Sequence, residues 1–399
     1  MSVRYAIRGI IVVLALSLAG FGAWIFSLPA PSAAKAPPVP RAEMHAMLAS
    51  LQPVKRERPL VAVIGINDAT ETTDYLMPTG ILRRADVADV AMLATGPGPV
   101  QLYPALAVEA DATIAEFDAR NPAGADYVIV PAMRRDDDPA VLAWLRDQAR
   151  KGAIIIGICA GAKIVASAGL LDGRRATTHW YYLKEMLSRS PSIIYVPDRR
   201  VIVDGSIATT TGISASMPAM LILIEAIAGH AKAEAVARDL GVQGWDSRHA
   251  SQAFKLTRPF AATVLRNVLA FWNREQVGIE LRPGMDEVAL ALVADAWSRT
   301  YRSKALAVAA SARAVETRNA IRVIPDDLAA NWPAGEPMHA FAGQKPADAL
   351  DQALLAIAAQ YGERTADAVA LQLEYPRLPI AAARNHGSAE LHNALNETR

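Results

Sequence analysis

Cys159, the only cysteine of the chain, stands in a pattern that could expose its sulfur for chemistry. An apolar run, Ile154–Ile156, leads into Gly157, and Gly161 follows two residues after the cysteine. Glycines two positions before and two after a nucleophilic residue let a strand turn sharply into a helix, which is the nucleophile elbow. The pattern therefore predicts that the thiol lies over the first amides of a helix at residues 160–168.

The chemistry predicted for this position is that of a reactive thiolate. Unpaired N–H groups at a helix N-terminus stabilise the anionic form of a thiol, so we expect the pKa of Cys159 to lie below about 8.5, the value of free cysteine. The alternative is a buried cysteine that acts as a small hydrophobic residue. The two glycines favour the elbow, because a core cysteine does not need them.

The composition of the 399-residue chain limits the classes of function. Lys and Arg together number 41 and Asp and Glu 40, so no strong field would attract nucleic acid. A single cysteine excludes an intrachain disulfide, and we expect no metal and no other cofactor. A chain of this length is long enough to form two domains.

The first half of the chain alternates strand-like and helix-like segments. The strand-like runs include Leu60–Ile66, Val90–Ala94 and Tyr127–Val130, and the helix-like segments include Thr73–Ala85 and Ala140–Arg150. Apolar strands that alternate with helices are typical of a parallel sheet covered on both faces. We therefore predict an α/β fold with a doubly wound parallel sheet.

The first 40 residues differ from the rest of the chain. Gly9–Leu28 carries no charge, follows Arg4 and Arg8, and precedes a Pro/Ala-rich segment. Twenty apolar residues span about 30 Å as a helix, so the run predicts a transmembrane helix in the inner membrane, with the remainder in the periplasm. The alternative is a signal peptide cleaved near Ser32–Ala34, which would release the protein into the periplasm.

Residues 260–376 follow a similar order of segments to the first half. A helix-like segment, Asp286–Thr300, precedes a short apolar run, and two alanine-rich segments follow at 356–358 and 368–370, as they do at 226–228 and 235–237. We interpret this region as a smaller α/β domain and a degenerate repeat that lacks the elbow. The predicted organisation is an anchor or signal peptide with its linker at 1–40, a first domain at 58–240, a connector at 241–259, the repeat at 260–376 and a disordered tail at 377–399.

The segments around the elbow resemble the ThiJ/PfpI superfamily. The resemblance lies in ICAGAKIVASAGLLDGRRATTHW (158–180), ETTDYLMPTGILRRA (71–85), ADYVIVPAM (125–133) and ATTTGISAS (208–216). It covers about residues 58–240 and implies a flavodoxin-like fold related to class I glutamine amidotransferases. The superfamily includes DJ-type proteins, isonitrile hydratases and the sensor domains of AraC-type regulators, so the resemblance implies no single activity.

The resemblance also implies roles for single residues. Cys159 matches the elbow cysteine of the family, and Asp74, four residues before Pro78, matches the acidic residue that hydrogen-bonds the sulfur. Glu71 lies on the same turn and is the alternative acid, and Asp74 could instead cap its helix. His179 matches a strand-end histidine that either takes the thiol proton or lines the site.

Two departures from the family pattern weaken the expectation of acyl transfer. Ala160 follows the nucleophile where relatives often carry histidine or threonine, so only its amide, beside Gly161, can serve an oxyanion. Ala132 and Met133 line the site where the family shows a Gly-Gly pair. Loss of one oxyanion donor typically costs about 2.7–4 kcal/mol.

Three hypotheses on function follow. The first is a membrane-tethered hydrolase or hydratase that acts on a small carbonyl or nitrile-like compound, with Cys159 as nucleophile and Asp74 as the acid–base group. The second is a non-catalytic redox or ligand sensor that uses Cys159. The third is a regulator related to AraC-type sensors. The expected partners are a small-molecule ligand, the inner membrane through residues 9–28 and a second copy in a homodimer, but not nucleic acid.

Overall fold

The computed structural model describes residues 2–32, 34–53, 55–341 and 343–377. All but the first residue of the predicted tail lies outside the described residues. The helices, in chain order, are α1 Ser2–Ser27, α2 Arg41–Ser50, α3 Thr72–Ala85, α4 Ile114–Arg120, α5 Pro139–Arg150, α6 Gly161–Ser167, α7 Leu183–Arg189, α8 Ser216–Ala228, α9 His230–Leu240, α10 Arg258–Leu269, α11 Glu287–Ser298, α12 Pro346–Tyr361 and α13 Glu363–Gln372.

The strands are shorter than the helices and form several sheets. In chain order they are β1 Leu60–Gly65, β2 Asp68–Glu71, β3 Asp89–Ala94, β4 Val100–Tyr103, β5 Ala107–Val108, β6 Ala112–Thr113, β7 Tyr127–Val130, β8 Ile154–Gly157, β9 Arg175–Ala176, β10 Ile194–Tyr195, β11 Val201–Asp204, β12 Ile207–Thr210, β13 Glu275–Glu280, β14 Ser303–Ala309, β15 Val315–Glu316, β16 Arg322–Ile324, β17 Asp327–Leu328 and β18 Met338–His339.

The central sheet has seven strands in the order β11-β12-β8-β7-β1-β3-β6. Its neighbouring strands are parallel except β11 and β12. Alternate residues of β1 face two different cores: Val61 and Val63 pack with α3 and α8, and Ala62 and Ile64 pack with α4, α5 and α6. Helices therefore cover both faces, and the predicted doubly wound, flavodoxin-like α/β fold is confirmed.

The C-terminal region forms its own parallel sheet, in the order β17-β14-β13-β18. It also shares a five-stranded sheet with the first region, because β16 pairs with β5 beside β4 and β2. Helix α11 packs on α3, and buried residues of both helices belong to one hydrophobic cluster. The two regions are thus joined through a common sheet and a common core.

The predicted transmembrane helix over residues 9–28 is wrong. Helix α1 includes most of this run, but in the described part of the chain no helix is long and apolar enough to cross a membrane. The end of α1 is also tied to α10, since Arg258 Nη2 donates to the Phe26 carbonyl at 2.6 Å. Signal cleavage near residues 32–34 stays a prediction.

Candidate active site

The elbow around Cys159 is formed where β8 ends and α6 begins. Cys159 has φ +54°, a left-handed backbone that costs a non-glycine residue about 1 kcal/mol or more. Gly161 allows the turn, since a Cβ there would overlap the carbonyl oxygen of Val130. Two threonines hold the strained residue: Thr210 Oγ1 accepts from its amide at 3.1 Å, and Thr178 Oγ1 donates to its carbonyl at 2.9 Å.

The predicted acidic thiol is wrong. Cys159 is only 4% exposed, and burial raises the pKa of its thiol well above the usual range. The charges of Asp74, Glu71 and Glu374 raise this pKa further, and the amide of Ala160 lowers it by less. The prediction assumed that the helix N-terminus stabilises the thiolate. Desolvation of the thiolate and its repulsion by nearby carboxylates have a larger effect. The thiol is therefore neutral at physiological pH.

Asp74 is a buried carboxyl group with one free oxygen. Its Oδ2 accepts from the amide of Ala132 at 3.1 Å, and its Oδ1 is buried without a hydrogen-bond partner among the described residues. Burial, followed by the charge of Glu71, raises the pKa of Asp74 well above its usual value. Asp74 thus keeps its proton to higher pH than an ordinary aspartate, and in the protonated form the proton belongs on Oδ1 because Oδ2 accepts a bond.

Glu71, the alternative acid, is fully occupied by other contacts. Its Oε2 accepts from the amide of Asp74 at 2.6 Å and from the hydroxyl of Thr73 at 2.7 Å, which makes it the N-cap of α3. Its Oε1 accepts from Arg299 Nη2 at 2.7 Å. Glu71 rather than Asp74 therefore caps the helix, and Asp74 is left free to act as an acid.

His179 has no free ring nitrogen. Its Nδ1 accepts from the amide of Tyr181 at 3.1 Å, and its Nε2 bonds to the carbonyl of Gln372 at 2.9 Å, so the proton must lie on Nε2. Burial lowers the pKa of His179, which keeps the ring neutral. The arrangement leaves no acceptor on this ring for the proton of Cys159, and His179 instead connects its loop to the end of α13.

The predicted oxyanion donors are mostly engaged. The amide of Ala132 bonds Asp74, and its carbonyl accepts from Glu71 N at 2.9 Å. The amide of Gly161 donates to the carbonyl of Ile158 at 2.7 Å. Met133 lies beside this segment in a bridge to Thr70. The amide of Ala160 remains directed at the sulfur, where its hydrogen bond lowers the pKa of the thiol.

Comparison with known proteins identifies the first region. Residues 61–226 match the model of the DJ-1/PfpI family. The chain contains a DJ-1/PfpI family domain. The resemblance predicted from the sequence is confirmed.

Several proteins of this family are similar to parts of the chain. Isonitrile hydratase of Pseudomonas putida is 35% identical over 94 residues, which are 23% of this chain and 40% of that protein. The HTH-type transcriptional regulator CdhR of Pseudomonas aeruginosa is 41% identical over 86 residues, which are 22% of this chain and 25% of the regulator. Both relatives are thus matched over less than half of their length. The crystal structure of Drosophila melanogaster DJ-1beta has a TM-score of 0.43 and 24% identity, covering 47% of this chain and 100% of that chain.

Arg299 reaches the site from outside the DJ-1/PfpI domain, at the end of α11. Besides Glu71 it binds Asp295, whose two carboxylate oxygens accept from Arg299 Nε at 2.8 and 2.9 Å. Burial raises the pKa of Asp295 to about 7 even with this partner. The sequence analysis missed both residues, and the available signal was a charged pair four residues apart in an otherwise apolar helix.

Glu374, just after α13, is a third residue that the sequence analysis missed. It is 2% exposed, and its oxygens accept from the amides of Trp180 at 2.7 Å and Gly212 at 2.9 Å. His249, from the predicted connector, lies 3.5 Å from the same carboxylate. Within the described residues no group of histidine, cysteine and acidic side chains is arranged to hold a metal ion.

A cavity of about 410 Å³ lies on the side of Glu374 and is lined by the loops that support the elbow, but not by Cys159 or Asp74. Its walls include Thr178, which bonds the Cys159 carbonyl, and the rings of Trp180, Tyr195 and Phe254. Aromatic rings line this cavity together with polar and charged side chains, among them Lys184, His249 and Lys255.

Proposed function

We propose that the chain is a hydratase that adds water to a small organic isonitrile, R–N≡C. Cys159 is the nucleophile and Asp74 the proton donor. The observation that carries the proposal is the buried, unpartnered Oδ1 of Asp74, a carboxyl group with a raised pKa whose charge acts on the elbow thiol. Isonitrile hydratase of Pseudomonas putida, 35% identical over 94 residues, supports this substrate class.

The charges around the thiol favour this reaction over acyl transfer. Acyl transfer develops an oxyanion, which needs free amide donors and is disfavoured by carboxylates nearby. Addition to an isonitrile begins with protonation of the terminal carbon and develops positive charge there. The carboxylates of Glu71 and Glu374, which raise the pKa of Cys159, stabilise that positive charge.

In the first step, the proton on Asp74 Oδ1 passes to the terminal carbon of the isonitrile. The sulfur of Cys159 bonds to the same carbon, and the thiol proton passes to the carboxylate that Asp74 has become. The product is the thioimidate R–N=CH–S–Cys, and Asp74 is again protonated.

In the second step, water adds across the C=N bond, so that carbon gains the oxygen and nitrogen gains a proton. The C–S bond then breaks as the hydroxyl becomes a carbonyl, and the hydroxyl proton returns to sulfur. The products are the formamide R–NH–CHO and the free thiol.

A second candidate function is ligand sensing without chemistry. The 410 Å³ cavity beside the elbow and the similarity to CdhR, 41% identical over 86 residues, favour it. Redox sensing is less favoured, because oxidation to sulfenic acid proceeds from an accessible thiolate and this thiol is buried and neutral.

The proposal is tested by the turnover of a small alkyl isonitrile, followed as formamide production. Asp74→Asn and Cys159→Ala should each reduce turnover by about 10²-fold or more, because each removes a group that bonds or protonates the reacting carbon. Asp68→Asn is the matched control, since Asp68 is exposed at the start of β2. Full turnover by Asp74→Asn would exclude the proposed acid, and ligand binding without turnover by the unaltered chain would favour sensing.

A further inference from the structure

The C-terminal region repeats the order of elements in the DJ-1/PfpI domain. Strand β13, helix α11 and strand β14 come in the same order as β1, α3 and β3, apart from the short strand β2 that precedes α3. Each strand pair is parallel over six residue pairs. Helices α12 and α13 correspond to α8 and α9. A single glycine joins each helix pair with nearly the same backbone, φ 84° and ψ 168° at Gly229 and φ 88° and ψ 156° at Gly362.

The ends of α9 and α13 correspond as well, with one informative difference. In each, the amide that follows a left-handed residue donates at 2.9 Å to the carbonyl five residues earlier, from Val242 to Ala237 and from Tyr375 to Ala370. The left-handed residue is Gly241 (φ +79°) after α9 and Glu374 (φ +50°) after α13. Ending the helix does not require a glutamate there, because glycine adopts this backbone at lower cost.

The carboxylate of Glu374 explains why a glutamate follows α13 where a glycine follows α9, because it holds two loops that support the elbow. It accepts from the amides of Trp180 and Gly212. Each amide lies two residues after a threonine that holds the elbow: Thr178 bonds the carbonyl of the elbow cysteine, and Thr210 bonds its amide. Glu374 therefore fixes the spacing between the two segments that support the strained nucleophile.

We infer that the C-terminal region is a diverged internal copy of the DJ-1/PfpI domain, which packs against that domain and completes the site around Cys159. Glu374 is the positioning residue that this copy contributes. Its carboxylate holds the loops of Thr178 and Thr210 together, and its charge acts on the thiol. This inference stands on the geometry and does not depend on the proposed isonitrile reaction.

Other ionisable groups face the same thiol and must be held constant in a test. The groups that act on the thiol are Glu71 and Asp74 from the start of α3, Arg299 after α11 and Tyr182 before α7. Asp295, His179 and His249 act on these groups or on Glu374. Substitution of Glu374 leaves all of these side chains in place. A change in the reactivity of the thiol then reports on Glu374 itself.

The test is the rate of alkylation of Cys159 by iodoacetamide as a function of pH in the full-length chain, where it is the only cysteine. Because the charge of Glu374 disfavours the thiolate, Glu374→Gln should lower the pH midpoint and react about threefold faster at pH 8. The control is Glu363→Gln on α13, whose exposed carboxylate bonds Arg377 and should leave the profile unchanged.

The variant Glu374→Gly distinguishes an effect of the lost carboxylate on the site from an effect on folding. Glycine suits the left-handed backbone, so this variant should fold and show the same lowered midpoint with a higher rate. If Glu374 had only a structural role, both substitutions would reduce the thermal midpoint and leave the pH profile of Cys159 alkylation unchanged. An unchanged profile in both variants, or failure of both to fold, would overturn the inference.

Discussion

At the scale of residues, two acids three positions apart have opposite roles because their partners differ. Glu71 stands at the N-terminus of α3, where two donors and Arg299 hold its carboxylate. Asp74, one turn further, is enclosed by the core with a single amide donor. A buried carboxyl group without enough donors holds its proton to higher pH than an exposed one.

The raised pKa of Asp74 predicts a pH-dependent effect of Asp74→Asn on stability. The pKa of aspartate in an unfolded chain is about 4, and in the folded protein the pKa of Asp74 lies well above this value. Between the two pKa values, folding takes up a proton. The free energy of unfolding of the unaltered chain therefore falls as pH rises through this range. Asparagine is neutral at every pH and keeps an acceptor for the amide of Ala132. The thermal midpoint of the variant minus that of the unaltered chain should therefore be larger at pH 8 than at pH 5.

The matched control for this measurement is Asp68→Asn. Asp68 is largely exposed and 3.8 Å from Arg134, so its stability difference should be the same at both pH values. A difference for Asp74→Asn that does not change between pH 5 and pH 8 would show that the folded Asp74 is ionised.

The site was predictable where its geometry is local. Two glycines around Cys159 and the four-residue spacing of Asp74 from Pro78 are sequence features, and they place the elbow and the acid. Arg299 and Glu374 lie more than 130 residues from the cysteine and reach it through helix packing, which no short pattern records. The acidity of the thiol was mispredicted for the same reason, because it depends on burial and on carboxylates brought together by the fold.

At the scale of elements, α3 is the element that connects site and C-terminal region. Its first turn carries Glu71 and Asp74, and α11 packs along it. The close approach requires Gly80, where a Cβ would lie 2.5 Å from Oε1 of Glu287. Glu287 is itself buried and bonds Asn319, so it has little room to move.

Gly80→Ala should therefore destabilise the protein by about 1–3 kcal/mol, since overpacking at a buried contact outweighs the better helix propensity of alanine. The measurement is the free energy of unfolding in urea. Gly244→Ala is the control: nothing lies within 4 Å of a Cβ there, and its effect should stay within about 0.5 kcal/mol. Equal stabilities of the two variants would contradict the packing of α3 on α11.

Elements with strong local patterns were predicted closely, and the others were not. Tyr127–Val130 was predicted with its observed bounds, and the helix predicted at Thr73–Ala85 begins one residue earlier. The five-stranded sheet shared by the two regions was not predicted, because its strands are two to four residues long and pair across more than 200 positions. The membrane helix was predicted from an uncharged run of twenty apolar residues at 9–28, but no helix in the described part of the chain is long and apolar enough to cross a membrane.

At the scale of the whole molecule, one site is assembled from two α/β regions. The DJ-1/PfpI domain supplies Cys159 and Asp74, and the C-terminal region supplies Arg299 and Glu374, which hold Glu71 and the two elbow loops. Burial first, and nearby carboxylates second, raise the pKa of both the thiol and Asp74. This electrostatic state distinguishes the site from a thiolate hydrolase.

The central claim is that Cys159 forms a covalent bond to the substrate carbon while Asp74 supplies the proton. The most direct test is mass spectrometry of the full-length chain, quenched in acid during turnover of a small alkyl isonitrile. The account predicts a species heavier by one isonitrile, located on the peptide that contains Cys159 and absent from Cys159→Ala. Formamide production that continues in Cys159→Ala, with no adduct in the unaltered chain, would contradict it.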